Sequence, residues 1–134
     1  MKNKLGFHLI EILITLSIIG ILLLVVIPTY SQYYVRIYRI EAENILVKLA
    51  TAMEAYHFEN NTYIDASLAR LKFPEIIAHQ YYQLCILQTT DADFQIAAKP
   101  LGIQAARDKK CNILFLNANG KKSNSGSGKV EECW

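Results

Sequence analysis

The sequence predicts an α+β chain: one long N-terminal helix packed on an antiparallel sheet of three or four strands. Three patterns predict it. From Phe7 to Pro28 the chain reads FHLIEILITLSIIGILLLVVIP, an aliphatic run with one charged residue, Glu11. Past Pro28, apolar residues at Tyr38, Ala42, Ile45, Leu49, Ala52, Met53 and Tyr56 recur every three or four positions, the stripe of an amphipathic helix. From Tyr81 onward the period shortens to two, with turn residues between the runs.

The first pattern gives the helix a membrane half. Phe7–Ile27 as a helix extends about 32 Å at 1.5 Å per residue, enough for a hydrocarbon core of roughly 30 Å. Lys2 and Lys4 precede it, so the positive-inside rule keeps the N-terminus cytoplasmic and sends the remainder across. An ordinary secretory signal has the same outline. Two features oppose that reading. No small-x-small cleavage site follows the run, for Pro28-Thr29-Tyr30 is a poor substitute, whereas Gly6 sits at the basic-to-apolar boundary. Glu11 is a carboxylate at a depth where charge is costly, and such groups are functional by default. The competing reading of Glu11 is a tolerated interfacial acid near the helix start.

The string Gly6-Phe7-His8-Leu9-Ile10-Glu11, behind the basic leader Met1–Leu5, resembles the type III signal of type IV prepilins. His8 departs from the small polar residue more usual there. The resemblance implies cleavage after Gly6 by a prepilin peptidase, which also methylates the new amine of Phe7. It further implies a type IV pilin fold and a helix-kinking role for Pro28. Physics supplies a reason for Glu11: the Phe7 amine of a neighbouring subunit neutralises a carboxylate that is otherwise unpaired in lipid. The expected organisation is a leader over residues 1–6, a transmembrane and assembly helix over 7–28, and an exported head over 29–134.

Pro28 removes one helical hydrogen bond and is expected to bend the helix without ending it, since the pattern is strong on both sides. One helix of roughly 50 residues follows, closed by the turn chemistry of Asn60-Asn61. Thr62–His79 has no sustained period and reads as a loop with a short helix around Leu68. Strands are expected at Tyr81–Leu87, Phe94–Ala98 and Ile113–Leu116, with a weakly signalled fourth before Cys133. Thr89–Asp93 and Asn117–Gly120 form the turns, and Pro100 and Gly102 open a connection. Lys121–Lys129 (KKSNSGSGK) is too polar to pack and taken alone reads as a flexible tether, but it lies between Cys111 and Cys133, and a disulfide there would tie it back to the third strand.

Cys85, Cys111 and Cys133 are an odd number of thiols, so they permit one internal disulfide with a spare cysteine, or a metal site. With no CxxC pair and no His at ligand spacing, zinc is not indicated. The arrangement Asp108, Cys111, Gly120, Cys133-Trp134 is similar to the C-terminal region of PilE-type minor pilins, where a disulfide loop ends near a Cys-Trp. The resemblance implies a Cys111–Cys133 bridge in an oxidising compartment, stabilising by about 3 kcal/mol in the chain-entropy model. Cys85, inside an apolar strand, is then a buried thiol.

At 134 residues the chain is one domain's length, and its formal charge of +2 falls to zero once Lys2 and Lys4 leave. Neither value suggests a polyanion binder. His8, His57 and His79 are scattered, no phosphate loop or zinc motif is present, and no cofactor is expected. Asp91, Asp93 and Asp108 read as turn residues rather than calcium ligands. Lys99, Arg107, Lys109, Lys110, Lys121 and Lys122 form a loose basic set, read first as solvated surface; repetition along a fibre leaves a role in DNA contact open. Tyr30, Tyr33, Tyr34 and Tyr38 read as interfacial and packing aromatics, with Arg36 and Arg39 against neighbouring helices or lipid headgroups.

The resulting expectation is a non-enzymatic structural subunit of a type IV pilus, most like a minor pilin, serving adhesion, twitching motility or DNA uptake. Its partners are other pilin subunits, the prepilin peptidase, the inner membrane and the pilus assembly machinery. The alternative is a pseudopilin of a type II secretion system, which shares the Gly6 and Glu11 logic; the C-terminal disulfide loop favours the pilus.

Overall fold

The structure, a computed structural model, describes residues 8–134. It forms two compact units, one ending at Tyr34 and the other spanning Val35–Trp134. Helix α1 (Leu9–Asn60) runs through Pro28 and contributes to both. Its length of 52 residues agrees with the periodicity on either side of the proline. In the first unit the run from Leu9 to Ile27 has no interior: Leu24 is 77% exposed and Ile21 65%.

The second unit is an α+β head. Its strands are β1 (Ile76–Ile77), β2 (Tyr82–Thr89), β3 (Phe94–Pro100), β4 (Leu114–Asn117) and β5 (Lys122–Asn124). Helix α2 (Gly102–Arg107) lies between β3 and β4, and α3 (Val130–Cys133) ends the chain. The five strands form one antiparallel sheet in the order β1-β2-β3-β4-β5. Each neighbour in sequence is a neighbour in space, so most strand pairings are local.

Alternation along the strands separates two faces. Tyr82, Leu84, Ile96, Ala98, Leu114 and Leu116 point inward and join Ala42, Leu46, Leu49 and Met53 of α1 in the core. Leu46 belongs to the buried stripe together with Leu49. On the other face Cys85, Ala97, Phe115 and Ser123 lie in one cross-strand row. Cys85 is half-buried there rather than buried. Burial still pushes its thiol pKa upward.

The sheet has five strands against the three or four expected, and the two with little sequence signal are β1 and β5. β1 is two residues long, too short for a period. The loop before it is a chain of turns with no helix at Leu68. Between β1 and β2, Ala78, His79 and Gln80 all have positive φ, making a left-handed turn. Such backbone is disfavoured without glycine. Packing holds it in place: the Tyr81 ring lies 4.5 Å from Tyr38, and His79 lies against Tyr38 and 3.3 Å from Glu41.

The tail departs most from expectation. Lys122–Asn124 pairs with β4 through its backbone, which needs no apolar side chains. Beyond it, Gly126 N–H donates to the Cys111 carbonyl and Gly128 N–H to that of Lys110. A Cβ on Gly126 would collide with the Lys110 carbonyl, so glycine is required by the close approach of two backbones. The segment is tied back by the Cys111–Cys133 bridge and, through these backbone contacts, is a packed edge of the head rather than the flexible tether that it suggests when read alone.

Candidate functional site

Gly6 and Phe7 lie outside the described residues. Glu11 stands in the first turn of α1, where its Oε2 accepts a hydrogen bond from the His8 backbone N–H at 3.2 Å. An acid at a helix N-terminus offsets the positive end of the dipole. The other polar side chains of the run are satisfied by the helix itself. Thr15 donates to the Ile12 carbonyl, Ser17 to Leu13 and Thr29 to Val25. Glu11 is thus the one charged group between Leu9 and Ile27. Length and composition of this stretch suffice to cross a membrane.

In the head, Cys111 and Cys133 form a disulfide, with Cα atoms 5.4 Å apart. Beside it is a latch that sequence reading missed. Arg39 Nη1 donates to Asp108 Oδ1 at 2.7 Å and contacts Cys111 Sγ at 2.6 Å. The Tyr82 hydroxyl donates to Asp108 Oδ2, and Gln104 Nε2 reaches the Val35 carbonyl and the Tyr82 oxygen. Gln104 and Asp108 are the buried polar residues of the head, and both are satisfied. Burial pushes the Asp108 carboxyl upward while Arg39 and the hydrogen bonds from Tyr82 and Gln104 pull it down. Tyr82 is raised by burial as well.

The expected setting of Arg39 against lipid or a neighbouring helix is therefore corrected: its guanidinium is spent inside the head. Asp108 is likewise no exposed turn residue. Nothing in the sequence linked Asp108 to Arg39, 69 positions away. Among the described residues no group of His, Cys, Asp and Glu is arranged to hold a metal ion.

The structure divides the basic set. Lys99 pairs across from Gln83 at the end of β3, and Arg107, Lys109 and Lys110 follow in the α2 connection, at the end of the sheet where Tyr82 meets Pro100. Lys121 belongs to the opposite end, in the β4–β5 turn. Lys110 is tied to Glu132 at 2.6 Å, and the Lys122 ammonium sits 5.0 Å from the centre of the Trp134 ring. Lys99, Arg107 and Lys109 are exposed.

With this geometry, comparison with known proteins decides the family. A sequence model of the type IV minor pilin ComP, DNA uptake sequence receptor, matches residues 28–115. The chain belongs to this family of type IV minor pilins. The Type IV major pilin protein PilA of Myxococcus xanthus (strain DK1622) is 38% identical over 64 residues, 48% of this chain; the match spans only 29% of that relative's length. The Fimbrial protein of Moraxella nonliquefaciens is 26% identical over 143 residues, covering 92% of each chain. In structure, the Neisseria meningitidis non-core minor pilin PilV is similar with a TM-score of 0.51, over 69% of this chain and 91% of that one, at 19% identity. That likeness establishes the pilin fold: a long helix on an antiparallel sheet. The minor pilin has its expected disulfide, and these matches favour a pilus subunit over a secretion pseudopilin.

Proposed function

We propose that this minor pilin is made as a prepilin, cut after Gly6, methylated at Phe7, and assembled through its apolar helix into a pilus that takes up DNA. The family match over residues 28–115 carries the DNA-uptake part, since the matching family is described as a DNA uptake sequence receptor. The processing part rests on the prepilin signal at Gly6–Glu11, which precedes the matched stretch. Before assembly the helix holds the chain in the inner membrane with its head on the periplasmic side. Glu11 then pairs with the Phe7 amine of a neighbouring subunit, because a carboxylate in lipid lacks any other cation. Pro28 lacks an N–H and lets the helix bend within the fibre.

Phosphate contact falls to exposed cations such as Lys99, Arg107 and Lys109, whose individually weak contributions are multiplied by other basic subunits along the fibre. Deletion of the gene tests the reading when surface pili, natural transformation and type II secretion are scored together. The expected result is a loss of transformation with secretion intact. Lost secretion with normal pili and normal transformation contradicts it.

A further inference from the structure

Cations without an ion-pair partner gather at one end of the head. At this end, where Val35, Tyr38 and Arg39 of α1 meet α2 and the β1–β2 turn, lie Arg36, Lys99, Arg107, Lys109 and Lys129. Among the described residues none of these five takes part in an ion pair. The acids at that end are mostly engaged: Asp108 by Arg39, Glu132 by Lys110 and Glu41 by His79. Glu43 is partly buried and Glu131 is exposed. The opposite end, where α1 finishes against the β2–β3 turn, carries Glu59, Asp65, Asp91 and Asp93 together with Arg70 and Lys121.

We infer that, before assembly, the basic end of the head rests on anionic lipid headgroups. This rests on the reading of α1 as a membrane span. Two observations point to lipid in particular. The first is charge complementarity: five cations without an ion-pair partner stand at this end, where most of the acids are already paired, so the end presents positive charge to a negative surface. The second is position in the chain. Tyr30, Tyr33 and Tyr34 are exposed after the apolar run, as in an aromatic belt at headgroup level, and one residue separates Tyr34 from Arg36. The latch through Gln104 and Asp108 fastens the α2 connection to Val35 and Arg39, the first residues of the head. Each cation held at an anionic surface strengthens the contact roughly fivefold, and three together by about a hundredfold.

The test uses the full chain in lipid nanodiscs, one set of phosphatidylcholine alone and one containing phosphatidylglycerol. Amide hydrogen exchange of the peptide over residues 102–112 is the readout. The expected result is slower exchange in the anionic discs, reversed by about 0.5 M salt and by the combined exposed-surface variant Lys99→Gln, Arg107→Gln, Lys109→Gln. Equal exchange in both discs overturns the inference. So does protection in neutral discs by added duplex DNA with none from phosphatidylglycerol, which assigns these cations to nucleic acid alone. Co-elution with both kinds of disc checks the span separately: a chain that leaves the discs contradicts the membrane reading, while a chain that stays without lipid-dependent protection contradicts only the basic-end contact.

Discussion

Leu24 and Leu49 belong to the same helix, yet the first is 77% exposed and the second fully buried. The difference lies in what surrounds them. Leu49 faces the inner side of a five-stranded sheet, so its apolar surface is covered by its own chain. Leu24 belongs to a run of large aliphatic side chains, each about half exposed or more, without a covering element among the described residues. Soluble proteins rarely expose contiguous apolar surface on this scale, and where it occurs it marks a membrane or protein contact. The head supplies its own partners, while the run before it requires lipid or neighbouring subunits.

The sharpest way to break this contrast is to trim one leucine in each region. Leu46→Ala should cost about 3 kcal/mol of head stability, as expected for a fully buried leucine. Leu24→Ala should change it by less than about 0.5 kcal/mol. Urea unfolding of the full chain in detergent micelles, followed by Trp134 fluorescence, measures both. A similar loss from each would mean that the first unit contributes to the folding of the second.

Removing the disulfide sharpens the picture of a self-sufficient head. Cys111→Ser with Cys133→Ser should lower stability by about 3 kcal/mol. It should also release the glycine-rich segment from Lys110, which hydrogen exchange over residues 122–129 reports. Unchanged protection there would show that β5 and the Gly126 and Gly128 contacts hold the tail without the bridge.

The smallest expected effect appears in alkali. Burial, reinforced by its hydrogen bond to Glu54, raises the Tyr63 hydroxyl from the ordinary tyrosine value of 10.0 to about 12. Its stabilising contribution is therefore complete below pH 10 and disappears as pH rises through about 12. Tyr63→Phe should make the loss of stability across that window shallower by about one proton's worth. A slope identical to that of the parent chain would show that Tyr63 titrates as if exposed.

Much of this was legible in the sequence because the signals are long. An apolar run of membrane length and an amphipathic stripe of about five turns each repeat their message many times, so the 52-residue helix could be read directly. The three central strands are apolar runs of four or more residues bounded by turn residues and were equally plain. β1 and β5 were not, because a two-residue strand has no period and the pairing of Lys122–Asn124 uses backbone groups that every sequence contains. The Arg39–Asp108 latch was invisible for another reason: two charges far apart in the chain look like solvated surface until the fold brings them within 2.7 Å. For the candidate site, Glu11 was legible since a single acid in an apolar run is conspicuous. Which surface cations remain free was not, because Lys110 and Lys122 find their partners only in three dimensions.

The central claim is that the first unit obtains its partners from neighbouring subunits, with Glu11 as the group that demands one. Glu11→Ala measures this most directly, through the amount of the chain in sheared pili relative to the membrane fraction, with cleavage after Gly6 followed by mass. The account predicts normal cleavage and a normal membrane level, with the fibre-borne fraction falling at least about tenfold, as loss of a buried charge pair worth more than about 1.4 kcal/mol would produce. Incorporation of Glu11→Ala at the parent level would contradict it.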